Sequence, residues 1–187
     1  LGMADLNCTL SIGVVCYPSS AESPEELLKH ADMAMYKSKR SGRNQVSFYS
    51  DDLNAHAVRR ATLDRELRTA LAEEQFEVHY QPQFGAGGDI LAAEALLRWR
   101  HPSRGLIGPE HFLDVTEDTG LIVPIGAWVL EQACAQAALW QDVARRNCML
   151  PPIVSVNLSG LQLRSDRVVA SIDLALRKSG LRGTSLE

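Results

Sequence analysis

The stretch FEVHYQPQFGAGGDILAAEALLRW, residues 76–99, decides the fold. In its first part Phe76, Val78 and Tyr80 alternate with Glu77, His79 and Gln81, the period of a strand with one apolar and one polar face. ILAAEALLRW, residues 90–99, reads as a second strand, and only FGAGGD separates the two. A parallel crossover needs about a dozen residues or more, so the pair is expected to form an antiparallel hairpin. The second strand has an odd feature, because an otherwise apolar run carries a carboxylate at Glu94 and a guanidinium at Arg98. Alternation puts both on one face with Leu96, where they either pair with each other or face a polar cavity together. Spacing alone favours an internal ion pair, since buried charges are ordinarily paired.

Outward from the hairpin the period changes. PEHFLDVTEDTG and IGAWVLEQACAQAALWQDVARR are helical in spacing, IVSVNLS is a compact β-branched strand, and SDRVVASIDLALRKSG is a helix stopped by Gly180. Strands alternating with helices of this length indicate βα units in a parallel sheet or barrel, and a further strand is expected to start at SLE. Upstream, residues 51–74 form a charged amphipathic helix with Leu53, Ala57, Leu63, Leu67, Ala70 and Leu71 on one stripe, the best candidate for a linker. Before it lies a short series: a strand over residues 8–17, a helix opened by Ser23-Pro24-Glu25-Glu26 and stopped by Gly42, and a strand QVSFY at 45–49. Two strands and one helix cannot close a core, so this series is the tail of a larger unit.

The chain has 187 residues, 45% apolar and 22% charged, a soluble globular composition that leaves one or two domains open. A net charge of -4 supplies no basic field for a nucleic-acid polymer or an anionic membrane. Cys8, Cys16, Cys134 and Cys148 lie far apart with no CxxC pair, which argues against zinc or a disulfide scaffold and for a reducing cytoplasm. The Asn-x-Ser/Thr triplets at Asn7 and Asn157 are therefore not expected to be glycosylated. No apolar run approaches the roughly 20 residues of a membrane span, and no signal peptide or anchor is read.

Asn157 is the last polar residue of an apolar strand, at its C-terminal end. In βα barrels and open α/β sheets chemistry gathers at the carboxyl ends of the strands. A carboxylate plus an amide oxygen suits a hard cation such as Mg2+ or Mn2+, and a nearby arginine suits a phosphate oxyanion. The competing structural reading makes Asn157 an amide that caps the next helix. His79 and His101 read as surface or packing residues, and Trp99, Trp128 and Trp140 as core.

EALLRWRHP, preceded by YQP and followed by GLIGPEHFLDVTEDTGLI, VPIGAWVL and VSVNLS, strongly resembles the first part of an EAL domain, the family that hydrolyses cyclic di-GMP. LSIGVVCYP and ELLKHADMAMYKSKRSGRNQVSFY resemble the C-terminal end of a GGDEF, or diguanylate cyclase, domain. The resemblance covers nearly the whole chain and implies a slice of a tandem GGDEF-EAL signalling protein. In that division residues 1–50 are the cyclase-domain end, 51–74 the linker helix and 75–187 the N-terminal part of the EAL domain. The implied fold is α/β, part of a modified TIM-type βα barrel whose first strand runs antiparallel to the rest. Glu94 and Asn157 are implied as ligands of a Mg2+ or Mn2+ ion, Arg98 as the holder of a phosphate, and Gln81 as a substrate contact. The reaction implied is metal-dependent hydrolysis of cyclic di-GMP to linear pGpG by the parent protein.

Further metal-binding acids, a paired-aspartate motif and a lysine near the attacking water are expected beyond Glu187, so no catalytic base is assigned. The GGDEF signature itself is absent from these residues. Two rival functions stand beside the phosphodiesterase: a non-catalytic cyclic di-GMP receptor, and a diguanylate cyclase regulated by its EAL barrel. The implied partners are cyclic di-GMP, a second copy of the chain in a homodimer through the EAL domain, and an upstream sensor domain. The slice alone is expected to be weakly active or inactive, since a partial barrel leaves strand edges open.

Overall fold

The computed structural model describes residues 8–187, so the triplet at Asn7 and the first seven residues of the cyclase-like segment lie outside the described residues. The chain divides into two compact units, residues 1–62 and 63–187, and the division falls inside one helix.

In the first unit, strands β1 (Ile12–Val14) and β2 (Val46–Phe48) pair in parallel around helix α1 (Pro24–Arg40). Ser23 caps α1 by accepting a hydrogen bond from the Glu26 amide at 3.2 Å, and Pro24 occupies the first turn, where its missing N–H costs nothing. The strand expected over residues 8–17 is ordered as a ladder only at 12–14, because β2 offers three residues of backbone to pair with. At Gly13 a Cβ would lie 2.1 Å from the Ala31 carbonyl and 2.3 Å from the Met35 amide, so only glycine lets β1 approach α1 this closely. Buried Ser38 fastens the same contact by donating to the Ile12 carbonyl at 2.8 Å.

Helix α2 (Asp51–Ala72) leads into the second unit, where Leu67 and Ala70 are fully buried against Phe76, Trp99 and Phe112. There β3 (Phe76–Phe84) and β4 (Ile90–His101) form the antiparallel hairpin that the short connection predicts, with Tyr80 opposite Ala95 and Gln81 opposite Glu94. A three-residue strand β5 (Gly105–Ile107), not expected from sequence, folds back onto the end of β4 after a turn at Gly105, whose φ is +73°. Helices α3 (Leu113–Thr119) and α4 (Ile122–Arg146) follow. Then β6 (Ile153–Val156) pairs in parallel with β4, Glu94 opposite Ser155. Helices α5 (Gly160–Leu163) and α6 (Arg167–Ser179) come next, and the strand expected at SLE begins as a parallel bridge from Leu186 to Val154.

Alternation sorts the sheet into two faces. Phe76, Val78, Ala95, Trp99, Val154 and Val156 face the helices, where α4 contributes Ile125, Val129, Leu130, Ala133 and Cys134 to the core. Trp99, Trp128 and Trp140 all pack there, Trp140 edge-on to Tyr80. Among the described residues α4 is the one helix long and apolar enough to cross a bilayer by length and composition, and its apolar stripe packs into the core. Polar residues at Glu131, Gln132 and Gln141 break its runs; Glu131 pairs with Lys178, Gln141 donates to Ser185, and the backbone carbonyl at Gln132 accepts from Tyr80.

The loop after β6 is held by a capping box. Ser159 Oγ accepts from the Gln162 amide at 3.3 Å while Gln162 Oε1 accepts from the Ser159 amide at 3.0 Å. Gln162 is buried, and the space for it exists because position 126 on α4 is glycine: a Cβ there would lie 2.0 Å from Gln162 Nε2. Gly126→Ala is expected to expel the Gln162 side chain, break the capping box and destabilise the unit by about 1–3 kcal/mol, read as a lower midpoint in urea. An unchanged midpoint would show that the helix spacing is not set at this glycine.

Candidate functional site

The opposite face of the sheet is polar. Gln81, Glu94 and Ser155 lie at one level across β3, β4 and β6, because antiparallel register puts Gln81 beside Glu94 and parallel register puts Ser155 on its other side, and Asn157 is the next residue on that face. Glu94 stands inside the twelve-residue β4 rather than at its tip, level with the C-terminal half of β6. Asn157 follows directly on β6, and its Nδ2 donates to Glu94 Oε1 at 2.6 Å. Glu94 is half-buried, while Asn157 and Gln81 are exposed.

Both competing structural readings fail against this geometry. Asn157 does not cap the next helix, a position taken by Ser159. Glu94 and Arg98 do not pair: four residues of strand separate their Cα atoms by about 13 Å, and Arg98 Nη1 donates to the Leu97 carbonyl at 2.8 Å. A half-buried carboxylate is therefore left with one neutral donor, an under-compensated charge that a cation would balance. The donor set present, a carboxylate and an amide, is the hard-oxygen chemistry of Mg2+ or Mn2+. No group of three or more His, Cys, Asp or Glu side chains that could hold a metal ion gathers among the described residues.

Toward the other end of the same face Glu77 accepts from Arg100 Nε at 3.0 Å and lies 2.7 Å from His79 Nε2. These two contacts, His79 first, hold the Glu77 carboxyl below its usual range. His101 is nearly buried edge-on against Trp99, and its Nδ1 accepts from the Ser103 and Arg104 amides. Neither histidine approaches Glu94 or Asn157 through a hydrogen bond among the described residues. On the far face, burial pushes the Tyr80 hydroxyl up to about 12.

Sequence reasoning brought Gln81, Glu94 and Asn157 to one place but overlooked Ser155. Its Oγ is buried without a hydrogen-bond partner on the Glu94 face. Counting back two residues from Asn157 along the strand was the available signal. The Ser159 to Gln162 capping box was legible as S-x-x-Q ahead of a helix.

An antiparallel hairpin whose second strand takes a parallel partner through a helical crossover, with carboxylate and amide converging on the polar face, defines part of a βα barrel. The chain belongs to the EAL domain family, which matches residues 64–187, and residues 1–45 match the diguanylate cyclase GGDEF domain. It is 41% identical over 97% of its length to the bifunctional diguanylate cyclase/cyclic di-GMP phosphodiesterase MucR of Pseudomonas aeruginosa, covering 26% of that protein. It is 38% identical over 96% of its length to the cyclic di-GMP phosphodiesterase NbdA of the same organism, covering 22%. The chain thus spans about a quarter of the length of the curated relatives it matches. Among solved structures, the MucR phosphodiesterase in complex with c-di-GMP superposes on 67% of this chain and 49% of its own, with a TM-score of 0.62 and 43% identity.

The lowered carboxyl of Glu77 has a pH consequence. A depressed folded value stabilises the fold above the ordinary carboxylate range, and that contribution disappears as pH falls through the lowered value. The melting temperature is expected to drop as pH falls below the ordinary carboxylate range, and Glu77→Gln is expected to flatten part of that drop; an identical pH profile in the variant would contradict the assignment.

Proposed function

We propose that the protein carrying this chain is a metal-dependent phosphodiesterase that opens cyclic di-GMP to linear pGpG. The observation that carries the reading is the 2.6 Å contact of Asn157 with Glu94 across the parallel β4 and β6 pairing, with Gln81 directly alongside. The similarity to MucR and NbdA supports the same substrate.

Glu94 and Asn157 would hold part of a Mg2+ or Mn2+ site through their carboxylate and amide oxygens. The ion supplies Lewis acidity, charge neutralisation at the phosphate and activation of water. Gln81, exposed beside Glu94, contacts the substrate by hydrogen bonding. Arg98, half-buried about 13 Å further along the same face, binds a phosphate oxyanion away from the ion, a guanidinium being suited to bidentate contact. Its present donation to a backbone carbonyl leaves the rest of the fork for that task. Residues 51–74 act as the helical linker between residues 1–50, the end of a cyclase domain, and the EAL portion at 75–187. The protein works in the cytoplasm as a homodimer through its EAL domain, under an upstream sensor domain.

Turnover of cyclic di-GMP with Mg2+ or Mn2+, measured on the full-length protein, tests this. Glu94→Ala is expected to lower kcat by at least about a hundredfold, as loss of a metal ligand does. Arg98→Ala is expected to act mainly on KM, with a loss of roughly tenfold or more in kcat/KM. Full activity in Glu94→Ala would overturn the metal assignment, and binding of cyclic di-GMP by the wild type without turnover would make the protein a receptor.

A further inference from the structure

We infer that Ser155 is a positioning residue of the ion site, the hydroxyl that takes over the Glu94 carboxylate when Asn157 turns to the cation. The inference rests on the metal-site reading above and deepens it.

The starting observation is an anomaly. Ser155 Oγ is buried and makes no hydrogen bond, although buried hydroxyls are almost always paired and an unpaired one destabilises the fold. Its position gives the reason. Ser155 is the parallel partner of Glu94 and lies two residues before Asn157, so all three side chains emerge on the same face of neighbouring strands. The opposite face at this level is occupied by Ala95, Val154 and Val156 in the core, and offers a hydroxyl nothing. On β4 the acceptor facing it is the Glu94 carboxylate, while on its other side runs the backbone of Glu187, bonded to Val154 and Val156.

That carboxylate accepts from Asn157, whose Nδ2 donates to Oε1. An amide cannot bind a cation through its N–H groups; it must present its oxygen. Turning the amide for that purpose removes the one hydrogen bond that orients Glu94. A carboxylate ligand without an orienting donor is a poorer ligand, because outer partners fix its direction and lose tenfold or more in affinity when removed. The idle hydroxyl of Ser155 is placed to donate to Glu94 at that moment. The two donors alternate: Asn157 holds the carboxylate when the ion is away, Ser155 when it is present.

This arrangement separates ion affinity from stability in a way that a packing role does not. Removing an unpartnered buried hydroxyl relieves the ion-free fold, whereas the loaded site loses a donor. In the full-length protein stripped of metal, Ser155→Ala is expected to raise the melting temperature by about 2 °C or more. In a Mn2+ titration followed by paramagnetic resonance, the same variant is expected to bind the Glu94-dependent ion about tenfold more weakly. That ion is defined as the difference between wild type and Glu94→Ala. Ser155→Thr, which keeps a hydroxyl on a β-branched side chain suited to a strand, is expected to restore most of the affinity. Unchanged Mn2+ affinity in Ser155→Ala while Glu94→Ala loses the ion would overturn the role of Ser155 alone. A wild type with no Glu94-dependent Mn2+ would overturn the metal reading and the role of Ser155 together.

Discussion

The contact of the Asn157 amide with the Glu94 carboxylate depends on one register. Parallel pairing of β6 with β4 sets Ser155 level with Glu94, and the next side chain on that face is Asn157. A slip of one residue would turn Asn157 and Ser155 into the helix-packed core and bring Val154 and Val156 to the polar face. The burial of Val154 and Ala95 against α4 and α6 excludes that slip, so apolar packing on one face specifies the chemistry on the other.

The supporting structure serves the same end. Gln162, buried in the space left by Gly126, closes the capping box with Ser159 and fixes the loop that begins at Asn157. On the other side of Glu94, the β3 and β4 ladder carries Gln81 to the carboxylate without any contribution from the turn residues. The carboxylate is thus bracketed by strands on both sides while its charge is answered by one neutral N–H. Arg98 stays too far along the strand to quench it and donates instead to the Leu97 carbonyl.

Much of this was legible in residues 76–99. The six-residue connection dictated a hairpin, and alternation alone put Glu94 and Arg98 on one face. The inference that charges on one face would pair was misleading, because four residues of strand separate the two groups by more than the side chains bridge. The helix-cap reading of Asn157 lost to Ser159, whose partner Gln162 stands at the spacing a capping box requires. The short β5 escaped because it has no periodicity of its own and exists only as a ladder against the end of β4. Ser155 looked like a filler residue in an apolar strand, and only its burial without a partner distinguished it. The length of α4 was legible almost to its ends, since the helical period over residues 125–146 falls short of Ile122–Arg146 by one turn.

The central claim is that Glu94 and Asn157 share one divalent ion. Anomalous diffraction from crystals of the full-length protein grown with Mn2+ locates the ion directly. The account predicts a manganese peak within coordination distance of both a Glu94 carboxylate oxygen and the Asn157 amide oxygen. A manganese site that excludes either residue, with the Asn157 to Glu94 hydrogen bond still intact, would contradict it.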